Sequence, residues 1–153
     1  MRMAKSAKHA ATEQSALERC CVRLAGELHI TLKPQEATGS FTYGVKGANS
    51  HQQLEYWRAA DESEHVRVQR AKQEIPYVVI SGASDVPYRI NLHVPHRVAL
   101  PRCSEAGGVT RRLHDALARA HELELKEIVC EITVAQDELD QIKGSFLRAY
   151  LHA

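Results

Sequence analysis

The stretch Ile75-Pro76-Tyr77-Val78-Val79-Ile80-Ser81-Gly82-Ala83-Ser84-Asp85-Val86-Pro87-Tyr88-Arg89-Ile90-Asn91-Leu92-His93-Val94 decides the fold class. It holds two runs, 75–81 and 86–94, rich in the β-branched and aromatic residues that suit a pleated, half-buried surface. Between them Gly82-Ala83-Ser84-Asp85 has turn chemistry, so the two runs predict an antiparallel hairpin.

Downstream, Val109, Leu113, Leu117, Ala120 and Leu123 recur at helical spacing behind the pair Gly107-Gly108. A strand is predicted over 126–134, with Ile128, Cys130, Ile132 and Val134 facing one way. A last helix is predicted from about residue 136. Asp137 and Glu138 stand near its positive end, and Leu139, Ile142, Phe146 and Tyr150 form its buried stripe. Upstream, Leu17, Cys20, Cys21 and Leu24 predict a helix over about 10–25 that Gly26 closes in the left-handed region. Leu28, Ile30 and Leu32 then alternate with His29, Thr31 and Lys33 up to Pro34, the period of a strand buried on one face. The softest stretch is 34–50, with three glycines around the strand-like Ser40-Phe41-Thr42-Tyr43. Beyond it, Ser50 with Gln53 matches a capping box and predicts a helix near 51–60, while Val66 and Val68 leave 64–71 open between helix and strand.

Helices among antiparallel strands, without regular strand-helix-strand alternation, predict an α+β fold: a mainly antiparallel sheet with helices packed on one face. A chain of 153 residues, 44% hydrophobic and 25% charged, suits a single α+β domain over 11–153 behind a flexible N-terminus over 1–10. No Gly-x-Gly-x-x-Gly and no phosphate-binding loop motif is present, so a nucleotide-binding parallel sheet is not expected. Twenty Lys and Arg against nineteen Asp and Glu leave a formal charge of +1, so attraction to nucleic acid must come from a local patch. No apolar run approaches the ~20 residues of a membrane span, and the basic N-terminus is not followed by the apolar core of a secretory signal; a cytoplasmic chain with no membrane partner is expected. Cys20, Cys21, Cys103 and Cys130 have no Cys-x-x-Cys spacing and are expected as free thiols. The nearby His93, His96, Cys103, His114 and His121 match no structural zinc spacing, so neither a metal nor a cofactor is expected.

Three sets of residues suggest chemistry. The first is Leu28-His29-Ile30-Thr31-Leu32, where an imidazole and a hydroxyl two residues apart can together hold a phosphoryl group. This element resembles the His-x-Thr strands of the two-histidine phosphoesterases, which cleave phosphodiesters without a metal between two such strands. The resemblance implies His29 and Thr31 as catalytic residues with His96 as the second histidine. In Pro95-His96-Arg97-Val98, however, Val98 stands where the second hydroxyl belongs. The second set is the basic stretch 89–119, centred on Gly107-Gly108-Val109-Thr110-Arg111-Arg112. Its glycine pair feeds a helix N-terminus that suits an anion, with Arg97, Gly108, Thr110, Arg111 and Arg112 as ligand-binding candidates. The acidic segment that follows can instead pair with these arginines, within the chain or across a homo-oligomer. The third is Trp57, the sole tryptophan, beside Tyr56 and Arg58 in a polar segment, a candidate for a binding surface.

Together these features predict a small binding or accessory protein that recognises a protein or a phosphate-bearing ligand, nucleotide or nucleic acid, without a catalytic centre of its own. The alternative is the metal-independent phosphodiesterase using His29, Thr31 and His96.

Overall fold

The structure, a computed structural model, describes residues 14–35, 41–73, 76–83, 87–95, 103–104, 106–122 and 127–151. The expected flexible segment 1–10, Leu123, His96 and Arg97 lie outside the described residues. The elements run α1 (Ala16–Glu27), β1 (Lys33–Gln35), β2 (Phe41–Ala48), β3 (Gln52–Ala59), β4 (Glu64–Arg70), β5 (Tyr77–Gly82), β6 (Tyr88–Pro95), α2 (Gly108–His121), β7 (Glu127–Val134), a 3-10 helix (Gln136–Gln141) and α3 (Gly144–Leu151). The strands form one seven-stranded sheet in the order β1-β2-β3-β4-β5-β6-β7, every neighbouring pair antiparallel. The fold is therefore the α+β class with an antiparallel sheet.

The register explains the core. Val45, Tyr56, Val66, Ile80, Ile90 and Ile132 form one row across six strands, and Leu54, Val68, Val78 and Leu92 another two residues along. Because side chains alternate at period two, these rows share one face. Leu54, Tyr56, Val66, Val68, Val78, Ile80, Ile90 and Leu92 are all fully buried there, with Leu17, Cys21 and Leu24 of α1, Leu113 and Leu117 of α2 and Leu147, Tyr150 and Leu151 of α3. The helices cover that face and close the core. Gly47 lets the segment after α1 lie against β2, since a Cβ at this position would overlap the carbonyl oxygen of Thr31.

The two runs of the predicted hairpin pair antiparallel as β5 and β6, residues 75 and 84–86 lying outside the described residues, and α2 and β7 fall where hydrophobic spacing puts them. Five local expectations are corrected, and one segment left open is assigned. Residues 51–60 are strand β3 rather than a helix: Asn49 accepts the amides of His51 and Gln52 at 2.7 and 2.8 Å, turning the chain between β2 and β3, and Gln52, Leu54 and Tyr56 then alternate inward. The open segment 64–71 becomes β4 by the same alternation. The first helix starts at Ala16, not near residue 10, because Ser15 adopts extended geometry and its hydroxyl accepts the Glu18 amide at 3.0 Å, an N-cap. It ends not at Gly26 but through Leu28 and His29. The His29 and Ile30 amides bond the Gly26 and Ala25 carbonyls, a Schellman closure in which His29 takes φ 58°. Consequently 28–32 is a turn and a coil rather than a strand, and its alternating burial comes from packing of Leu28 and Ile30 under the turn. The predicted terminal helix is divided into the 3-10 helix and α3. The break brings the Gly144 amide within 2.6 Å of the Glu27 carboxylate, with Gly144 against the Glu27 Cβ, while Leu139, Ile142, Phe146 and Tyr150 remain the buried stripe.

Candidate ligand-binding face

Among the described residues, no helix packs over the polar rows of the second face of the sheet. In register across the strands stand Gln35, Gly44, Trp57, His65, Ser81, Arg89 and Thr133. The neighbouring row on the same face is Lys33, Lys46, Glu55, Arg67, Val79, Asn91 and Glu131. A third contains Gln53, Gln69, Tyr77 and His93. Rows on one face lie about 6.7 Å apart and neighbouring strands about 4.8 Å apart, so these side chains touch.

Two aromatic assemblies result. Trp57 of β3 stacks on His65 of β4, with ring centroids 5.0 Å apart and planes within 13°. Gly44 sits opposite Trp57, where a Cβ would come within 2.9 Å of the Tyr56 carbonyl oxygen, so glycine lets β2 and β3 close there. In the other assembly, the Arg67 guanidinium lies 4.2 Å from the Tyr77 ring centroid, in cation-π contact. The Arg67 Nε also donates to Gln69 Oε1 at 2.7 Å, which fixes the guanidinium. The Tyr77 hydroxyl and His93 Nδ1 are 2.9 Å apart, with the rings edge to face. On this face Lys33, Lys46, Arg67 and Arg89 outnumber the carboxylates Glu55 and Glu131, and Glu55 is engaged by the Gln35 amide at 3.2 Å.

The polar chemistry on the inner face is of another kind. The Tyr56 hydroxyl donates to Glu64 Oε1 at 2.9 Å and receives Arg58 Nη2 at 3.4 Å; the Ser15 hydroxyl donates to the same Glu64 oxygen. Glu64 is 6% exposed and Glu18 2%. Burial and the Glu64 carboxylate push the Tyr56 phenol upward, and burial with the Glu18 charge pushes Tyr43 up to about 12, so both stay protonated. This network ties the first turn of α1 to the sheet.

The sequence candidates are dispersed. Trp57 lies on the outer face. His29 and Thr31 are exposed in the coil that leads to β1, at one end of the strand order. Gly108, Thr110, Arg111 and Arg112 lie on α2, which packs on β7 at the other end. At the α2 N-terminus the Val109 amide donates to Gln141 Oε1 at 3.0 Å, and Thr110 is 7% exposed. Arg111 reaches Asp115 at 3.4 Å. Arg112 bridges to Glu138 at 2.7 Å and to the Thr133 carbonyl at 3.1 Å. The Ala135 amide and Arg112 hold the Glu138 carboxyl below its ordinary range. The patch thus meets its acidic neighbours within the chain. Among the described residues no group of three or more His, Cys, Asp and Glu is placed to hold a metal ion, and no helix is long and apolar enough to cross a membrane.

The residues of this face missed by sequence reasoning are His65, Arg67 and Asn91; Arg89 entered it only as the start of the basic stretch 89–119, and His93 only among possible zinc ligands. Their signal was present: each alternates with a core residue of its strand, so once 52–59 and 64–70 are strands the outer rows follow. Comparison of the chain with protein-family models, with curated proteins and with solved structures gave no match.

Proposed function

We propose that the protein is a binding module whose outer sheet face takes a phosphate-bearing ligand with planar bases, best suited by single-stranded nucleic acid. The observation that carries this reading is the grouping of the Trp57–His65 stack with the Arg67–Tyr77 pair on one cationic sheet face. Unpaired bases offer π-faces to aromatic rings and guanidinium planes, and their phosphates are drawn to the surplus of Lys and Arg. A sheet presents such groups at fixed spacing, with little ordering cost on binding. The reading assigns no reaction to the chain, and it places the ligand on the sheet rather than at the α2 arginines, which are engaged with Asp115 and Glu138.

Trp57 is the only tryptophan, so its emission reports on the face directly. Titration with single-stranded oligonucleotides of about 12 nucleotides should quench it, and the affinity should fall steeply over roughly 50 to 200 mM salt. Arg67→Glu with Arg89→Glu should weaken binding and flatten that salt dependence. No quenching by any single strand at low salt refutes the reading; a protein captured through the same face would replace it.

A further inference from the structure

We propose that His65 is a proton-operated element of this face: on gaining a proton it turns the Trp57–His65 stack from neutral to cationic and tightens the hold on an anionic ligand. The inference rests on the binding reading above and concerns its regulation. The hydrogen bonds define the titrating atom. Ser63 Oγ donates its one proton to Asp61 Oδ1 at 2.6 Å, so at the 3.0 Å contact between Ser63 Oγ and His65 Nε2 the imidazole must be the donor. Neutral His65 therefore carries its hydrogen on Nε2, and a second proton enters at Nδ1 without breaking that bond. The resulting imidazolium is stacked on the indole, where a cation is favoured by the ring quadrupole.

The surroundings set the working range. Partial burial pulls His65 below its ordinary value, while the charges of Asp61 and Glu64 pull the other way. Asp61 itself is held below the usual carboxylate range by the Ser63 hydroxyl and amide, so it stays ionised while His65 titrates. Of the elements beside the ring, β3 contributes Trp57 and Glu55 and β5 contributes Ser81. On its own strand Arg67 shares the outer face and Glu64 the inner, and Arg89 of β6 lies across Ser81. At neutral pH the stack is thus largely uncharged, and acidification adds a positive charge at the aromatic centre. By linkage, a bound anion must in turn raise the proton affinity of His65.

The test uses the full chain and a His65→Gln variant, in which the amide can still donate to Ser63. Without ligand, Trp57 emission of the wild-type protein should titrate with a midpoint below about 6.5, and that transition should vanish in the variant. With a single-stranded oligothymidylate as probe, wild-type affinity should rise about fivefold more than that of the variant between pH 7.5 and 5.5, the size of one surface charge contact of about 1 kcal/mol. Binding that responds equally to pH in both proteins overturns this inference alone, as does wild-type emission that is flat across the range. An oligonucleotide that binds at no pH overturns the binding reading and this inference with it.

Discussion

Replacing Glu64 by alanine should be among the costlier single changes in the protein, because this carboxylate is the hub that joins helix to sheet. Its Oε1 receives the hydroxyls of Tyr56 and Ser15; Arg58 donates in turn to the Tyr56 oxygen, and the Glu18 amide to the Ser15 oxygen. The chain of donors runs from Arg58 on one side and from the first turn of α1 on the other, with the negative charge near the positive end of that helix. Each hydrogen bond to an ionised acceptor contributes about 1.5 to 3 kcal/mol. Two are lost in Glu64→Ala, and two hydroxyls at a site 6% exposed are left without their acceptor, for an expected loss of about 4 kcal/mol. For a chain of this size that corresponds to a fall of about 12 °C in Tm. Urea unfolding at pH 7, followed by far-ultraviolet circular dichroism, measures it, with Tyr56→Phe as the control that removes one arm at about 1.5 to 3 kcal/mol. A double-mutant cycle between Ser15→Ala and Glu64→Ala should show coupling above about 0.5 kcal/mol. A loss below about 1 kcal/mol in Glu64→Ala, or additivity in the cycle, would refute the claim that the network anchors α1.

Burial pushes the Cys20 thiol up to about 11, and burial with the neighbouring Cys20 and Glu18 pushes Cys21 up to about 12. Both should therefore resist iodoacetamide at pH 8 in the native protein and react only in urea, while half-exposed Cys103 is alkylated before them; peptide mass spectrometry reads the order, and early labelling of Cys20 would contradict the packing of α1. His29 holds φ 58° at the end of α1, so His29→Gly should raise stability by about 0.5 to 1 kcal/mol, the left-handed penalty less the added freedom of the unfolded chain. A loss on urea unfolding would mean that the imidazole makes a stabilising contact.

The parts of the fold written in local periodicity were legible. The hairpin 75–94 combines β-branched runs with a turn, and α2 and β7 have apolar residues at spacings that only a helix and a one-faced strand can bury. These elements required an antiparallel sheet with helices on one side. Where two local codes overlapped, neighbours in space chose between them. Ser50 with Gln53 is as good a helix start as Leu54 and Tyr56 are strand positions; β3 won because β2 and β4 pair with both its edges and its inward residues fill the core. In 28–32 the alternation was real, but a Schellman turn produces the same burial without a ladder, and only the bonds to Ala25 and Gly26 distinguish the two.

The candidate site was legible in one residue. Trp57 could be singled out as an unusual aromatic in a polar segment, but nothing near it in sequence names His65 as its partner, and the Arg67–Tyr77–His93 assembly joins three strands separated by turns. Likewise the cationic look of Arg111 and Arg112 is a property of their immediate sequence, whereas Asp115 and Glu138 reach them one helical turn and 26 residues away. The sequence alone determined which residues must be hidden from water, because hydrophobic spacing is local, and with it the class of fold. Which polar residues meet was decided by strand register in the tertiary structure, because a pairing shifted by one residue would have sent each of them to the opposite face.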